Sequence, residues 1–362
     1  LLLSGDVFNL YVTLELVGLA AVALVALAGT GAALTGAVRY LLVSLVGSAS
    51  YLLGVALLYG QAATLDILAL GAAVQPGIST WVAMGAMFAG LTLKTALFPL
   101  HFWLPGAHGA APAPVSALLS GLVVKASFYL LLRLWLQVFP VALPEPAQLL
   151  GVLGAAAILW GSVQALRQER LKMLLAYSTV AQLGYLFLIF PLSLTGAAQT
   201  AWLGVLVFIA SHALAKSAMF LSAGNILHHQ GHDRVRELDQ VARREPVTLF
   251  AFGLAGISLI GLPPSGGFVA KWLLIQASIE SGQWWWVLVM AVGAFFAAAY
   301  VFRVIGHAFN TGNAVERPRA VAMSMTGAAL FLALGAVALG FLAVAVDDLR
   351  QIGWPMVAEG AR

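Results

Sequence analysis

Apolar runs of about twenty residues, parted by short polar breaks, recur from one end of this 362-residue sequence to the other. A helix of that length rises enough to cross the roughly 30 Å hydrocarbon layer of a bilayer. Hydrocarbon offers no hydrogen-bond partners, so each run must satisfy its own backbone, which a helix does within one segment. The chain is 62% hydrophobic and only 9% charged, far from the roughly quarter-charged make-up of soluble domains. With a mean hydropathy of +0.97, it has no room for a separate soluble domain. The expected fold is an all-α polytopic membrane protein, one transmembrane domain over residues 1–362.

Glycine, proline and charge punctuation divides the sequence into about ten spans. These are 6–28, 36–60, 78–98, 113–137, 147–166, 172–192, 196–226, 246–280, 284–309 and 322–345. The eighth is too long for one straight helix, and its Gly261-Leu262-Pro263-Pro264-Ser265-Gly266-Gly267 must interrupt the helical ladder. The sequence opens at Leu1 directly into a span, with no charged lead segment or small-residue cleavage site, so a fragment lacking its start is expected.

The chain has no cysteine, which excludes disulfides and thiolate metal sites. Its pI near 9.5 does not indicate nucleic acid, because the basic residues are too scattered to form a patch. No cofactor or metal is expected. Laid on alternate sides of the membrane, the charges between spans segregate. Arg39, Arg167, Arg170, Lys172, Arg234, Arg236, Arg243, Arg244, Arg317 and Arg319 share one face. Asp66, Glu145, Glu280, Asp347 and Asp348 share the other, with Arg350 as the main dissenter. The positive-inside rule makes the arginine face cytoplasmic.

Lysine is used differently. Of five lysines, Lys94, Lys125, Lys216 and Lys271 fall within spans. Arginine stays protonated, whereas an ammonium taken into low dielectric is destabilised and can release its proton near neutrality. Glu15 lies nine residues into the first span, roughly 14 Å deep. An ionisable group there costs several kcal/mol unless paired or hydrated, and a lysine partner would offset that cost. Lys125 and Glu15 have the poorest alternative explanations. Lys94 and Lys271 could instead be helix-end lysines reaching for water. Lys216 follows His212 by four residues on one helix face, which is a polar stripe or a helix–helix hydrogen-bond pair. His101 and His108 flank a Trp-Leu-Pro turn and are relay groups, hinge groups or satisfied structural imidazoles. Arg303 and His307, again four apart and near a cytoplasmic exit, are a second functional polar pair or side chains reaching for the membrane edge.

Lys94 precedes Phe98-Pro99-Leu100-His101-Phe102-Trp103-Leu104-Pro105, and Lys271 follows the double proline, so the third and eighth spans each pair a break with a lysine. Their odd offset means that they cross in opposite senses, as in an inverted-topology repeat. Residues 1–137 would hold most of the first repeat, 147–309 the second, and 322–345 a final helix. Interrupted helices expose backbone that is tolerable only beside protein or a wet cavity, so both breaks mark half-channels. The second unit has no carboxylate in the place matching Glu15.

The segments Gly5-Asp6-Val7-Phe8-Asn9-Leu10-Tyr11-Val12 with Glu15, Lys94 through His101-Phe102-Trp103-Leu104-Pro105-Gly106-Ala107-His108, and Ala113-Pro114-Val115-Ser116-Ala117-Leu118-Leu119-Ser120 to Lys125 carry a family resemblance. So do Leu171-Lys172-Met173-Leu174-Leu175-Ala176-Tyr177-Ser178, His212 to Lys216, and Gly261-Leu262-Pro263-Pro264 to Lys271. Together they resemble the antiporter-like subunits of respiratory complex I, the NADH-quinone oxidoreductase, and of Mrp cation/proton antiporters. The opening segment looks most like the D-type component of Mrp, whereas the His-Phe-Trp-Leu-Pro-Gly-Ala-His stretch fits complex I and membrane hydrogenase subunits equally. The resemblance implies fourteen core helices, of which these would be the last ten. It also implies that Glu15 and Lys94 are a pair, Lys125 and Lys216 central relay members, and Lys271 the lysine near the second half-channel. His101, His108 and His212 match relay or structural positions.

The expected function is therefore proton translocation within a larger membrane complex, with other membrane subunits as partners, protons and in some cases Na+ as cargo, and no redox centre in this chain. The expected location is a prokaryotic plasma (inner) membrane. Two other classes compete: a stand-alone secondary transporter of a small solute, and a haem protein ligated by His101, His108 and His212.

Overall fold

The computed structural model describes residues 3–139, 144–312 and 319–342. The charges expected at Arg317, Asp347, Asp348 and Arg350, and the end of the last span, lie outside the described residues. The elements in order are α1 (Val7–Ala26), α2 (Gly31–Ala62), α3 (Ile67–Ala73), α4 (Ile78–Thr95), α5 (Leu104–Ala110) and α6 (Ala113–Leu118). A π-helical turn (Leu119–Val123) leads into α7 (Val124–Gln137). Then follow α8 (Pro144–Arg167), α9 (Leu171–Phe187), α10 (Ile189–Leu192) and α11 (Ala198–Gln230). The last are α12 (Val241–Arg244), α13 (Pro246–Ile260), α14 (Gly266–Glu280), α15 (Trp285–Ala308) and α16 (Met323–Leu342).

Eight of the helical segments are long and apolar enough to cross a membrane. Every expected span coincides with helix, but two stand outside that set. The third is the 18-residue α4, and the eighth is divided into α13 and α14. Polar side chains start several helices by accepting an otherwise orphaned N–H. Asp6 accepts from Asn9, Thr30 from Ala33, Asp66 from Ala69 and Ser265 from Phe268.

Both expected breaks are present. Thr95 ends α4 on Ala96 in the left-handed region (φ 60°), and a non-helical stretch runs to Trp103. Ile260 ends α13 on Gly261 (φ 91°), where glycine alone adopts the conformation without a Cβ penalty. The Phe98-Pro99 and Pro263-Pro264 peptide bonds within these breaks are cis.

Contacts between loops sort the chain into two ends. At one, Arg170 pairs with Arg234 as an isolated bridge, Arg303 donates to Leu166 O, and Arg319 N–H donates to His229 O at 3.1 Å. At the other, Asp6 pairs with Asp66, Arg133 donates to Ser4 O, and Gln283 Nε2 donates to Pro191 O at 3.1 Å. The arginine-bearing loops thus gather at one end, and Arg133 joins the acidic one. In the middle, 89% of the apolar window in Leu171–Leu192 is buried, against 17% for α16, so α9 lies deep in the bundle, packed on α5, α8 and α11.

Candidate functional site

Glu15 on α1 and Lys94 in the last turn of α4 meet with Nζ 2.6 Å from Oε1. Helix α2 supplies the rest of this cluster: Lys94 Nζ also donates to Ser44 Oγ at 3.0 Å, and Ser48 Oγ donates to the same Glu15 oxygen. Small residues make the approach possible. A Cβ on Gly18 would come 2.8 Å from Ser44 Oγ, and one on Gly47 would come 2.9 Å from Gly90 O and 3.0 Å from Lys94 Cγ. Backbones of α2 and α4 therefore touch beside the lysine stem, and its ammonium meets the Glu15 carboxylate and the Ser44 hydroxyl.

The other three lysines of the expected relay have neutral partners. Lys125 follows the π-turn, whose widened hydrogen-bond pattern leaves carbonyls in reach, and Nζ donates to Ser120 O at 2.5 Å and Gly121 O at 3.0 Å. Lys216 on α11 crosses to α9, donating to Leu175 O at 2.7 Å and Ser178 Oγ at 2.5 Å. Lys271 on α14 reaches back over the break to Leu259 O at 2.8 Å and Ile260 O at 3.0 Å. Those carbonyls end α13 and lack helical partners, and the negative end of the helix dipole favours a cation there. Nζ of Lys271 also lies 4.5 Å from the centre of the Tyr185 ring. Among the described residues, Lys125, Lys216 and Lys271 make no ion pair.

The three histidines pack against aromatic rings. His101 lies against the rings of Phe98 (5.6 Å) and Tyr177 (6.5 Å). His108 does not flank a turn: Leu104–Ala110 is helical, and His108 is buried within it, stacked on Phe220 at 5.0 Å. His212 stacks on Phe208 at 5.8 Å. Among the described residues, neither ring nitrogen of His108 or His212 has a hydrogen-bond partner. His212 lines a cavity of about 10 Å³ with Gln182, Ser211 and Ser258, the size of one water and polar enough to hold it.

Arg303 turns to backbone carbonyls, donating to Leu166 O and to Gln168 O at 3.1 Å, while His307 makes a 3.5 Å contact with Asn310. Lys172 departs from expectation. Placed by sequence with the loop arginines, it is 3% exposed and turns inward to the carbonyls of Gly109 and Ala111. Ser44, Ser48 and Ser178 join these clusters without a sequence signal of their own. A serine in an apolar span is a weak signal, because most bond their own helix backbone.

Residues 4–297 match the family model described as NADH:quinone oxidoreductase/Mrp antiporter, TM. The chain belongs to this family. It is 40% identical over 325 residues to NADH-quinone oxidoreductase subunit N of Desulforudis audaxviator, covering 87% of this chain and 64% of that protein. It is 28% identical over 340 residues to the D-type component of the Na(+)/H(+) antiporter of Bacillus subtilis, covering 92% and 68%. The chain thus spans about two thirds of the length of these curated relatives. Among solved structures, a chain of the Mrp complex from Dietzia superposes with a TM-score of 0.87 at 26% identity, covering 96% of this chain and 73% of that one. A chain of respiratory complex I from Thermus thermophilus superposes at 0.79 with 28% identity, covering 95% and 75%. Relatives of both kinds match along nearly the whole sequence.

Proposed function

We propose that this family member is a proton-translocating, antiporter-like subunit of a multi-subunit membrane assembly of the complex I or Mrp type. Charge changes on the Glu15–Lys94 pair would propagate along Lys125, Lys216 and Lys271, with His101, His108 and His212 between them. The observation that carries this reading is the asymmetry of partners. One lysine is held by a carboxylate at 2.6 Å, while three others inside spans rest on neutral carbonyls and hydroxyls. An ammonium with only neutral partners in a low-dielectric site has little to hold its charge, so a nearby charge change shifts its protonation. Proton transfer over gaps longer than a hydrogen bond would run through bridging water. The residues 1–137 and 147–309 would act as two inverted repeats, each contributing one half-channel at its broken helix. The arginine-bearing end would face the cytoplasm of a prokaryotic cell, by the positive-inside rule.

The test is Glu15→Gln in the assembled complex, reconstituted in vesicles with a pH-sensitive dye inside. Proton uptake should fall by roughly tenfold or more. Uptake equal to that of the unaltered complex would refute the relay.

A further inference from the structure

Lys172 is the one lysine that this relay does not use, and it is not placed like a surface charge. At the start of α9 it lies a turn or less from the membrane edge, where a lysine stem normally carries its ammonium outward to water. Instead it is 3% exposed, and Nζ donates to Ala111 O and, at 3.5 Å, to Gly109 O. Those carbonyls end the short helix that holds His108. No carboxylate forms an ion pair with this ammonium among the described residues.

On its other side, the Lys172 backbone N–H donates to Asp233 Oδ2 at 3.3 Å, and Arg170 Nε donates to Oδ1 at 3.0 Å. Asp233 is 4% exposed, whereas the Arg170 side chain is 55% exposed. Inward from Lys172, the His108 ring is wholly buried with both nitrogens unpartnered. It stacks on Phe220, and Lys216 Nζ lies 5.7 Å from the centre of the same ring. Asp233, Lys172, His108 and Lys216 thus follow one another inward from the exposed Arg170, with the Gly109 and Ala111 carbonyls joining Lys172 to the helix of His108 and the Phe220 ring lying against both His108 and Lys216.

We propose that Asp233 and Lys172 form a proton port at the arginine-bearing end, with His108 passing protons between Lys172 and Lys216. The proposal rests on the relay reading above. In the inward direction, a proton from water joins the Asp233 carboxylate and is handed to the neutral amine of Lys172. The resulting ammonium gives it to one nitrogen of His108, which releases a proton from the other nitrogen toward Lys216. Asp233 and Lys172 return to their starting forms, and His108 is left as its other tautomer, which a flip of the ring resets; no electrons move, and water bridges the gaps. A clamp on the end of α5 would explain the Lys172 carbonyl bonds alone. It requires neither a buried carboxylate behind the lysine nor an unpartnered imidazole in front of it.

The port is tested with Asp233→Asn in the assembled complex in vesicles. Proton transport should fall by roughly tenfold with assembly intact, and millimolar acetate on the arginine-bearing side, a small carboxylate that can stand in for the lost one, should restore most of it after subtraction of the uptake by protein-free vesicles given the same acetate. Asp233→Glu should keep transport near the unaltered level, and Lys172→Met should reproduce the loss. Loss without acetate rescue, an Asp233→Glu complex as inactive as Asp233→Asn, or full transport by Asp233→Asn or Lys172→Met would each overturn the port. If Asp233→Asn prevents assembly, the Lys172→Met and Asp233→Glu results decide in the same way. Lys125→Ala, run in parallel, separates the two claims: transport lost there but kept in Asp233→Asn rejects the port alone, and transport kept in both rejects the relay.

Discussion

Lys271 Nζ lies 3.0 Å from Ile260 O, on the far side of the Gly261–Ser265 break, so the lysine closes the helix end that the break opens. The same arrangement recurs at the π-turn, where Lys125 takes the carbonyls of Ser120 and Gly121. In both places an irregular backbone and a buried ammonium solve each other's hydrogen-bonding problem. Neither contact fixes the charge on the lysine, because a neutral amine also donates to a carbonyl.

Gly261 is the hinge of that arrangement. At φ 91° a Cβ is strained, and it would also come 2.8 Å from Lys271 Cδ. Gly261→Ala should lower stability by about 1–2 kcal/mol and displace Lys271. Thermal unfolding of the detergent-solubilised protein reads the first effect, and the rate of proton transport reads the second.

Glu15 and Lys94 are expected to be coupled. Truncating either leaves its partner uncompensated in a mostly buried site, at a cost of about 3–5 kcal/mol, whereas replacing both removes the unpaired charge. Glu15→Gln combined with Lys94→Met should therefore destabilise by clearly less than the sum of the single changes. Additive effects in a denaturation series would show that the pair is not an energetic unit.

Ser48 donates to the Glu15 oxygen that also receives Lys94. Ser48→Ala should loosen that carboxylate and slow transport severalfold, and Ser48→Thr, which keeps the hydroxyl, should restore the rate. Equal rates for all three proteins would mean that the hydroxyl only fills space.

The large pattern was legible because hydrocarbon imposes it: a span must be helical and about twenty residues long, so span limits and glycine–proline breaks follow from the sequence. That Glu15 needs a partner was legible for a related reason, since a lone carboxylate at that depth demands one, whereas the choice of Lys94 came from the family resemblance. The π-turn was not, because Leu119-Ser120-Gly121-Leu122-Val123 reads as ordinary helix and its register depends on α11. There, a Cβ on Gly121 would come 2.6 Å from Ser217 Oγ. Lys172 was misplaced because position along a span does not tell which way a long side chain turns. Its inward course depends on the end of α5, some sixty residues earlier, and the bracket made by Asp233 beyond α11.

The central claim is that lysines with only neutral partners carry protons, and Lys125 is the member with the fewest other duties, bonded to two backbone carbonyls of its own segment. The direct measurement is proton transport by the assembled complex bearing Lys125→Ala, with assembly checked in the same preparation. A fall of roughly tenfold or more is the result expected of a relay member. Transport at the unaltered rate in a fully assembled complex would contradict the account.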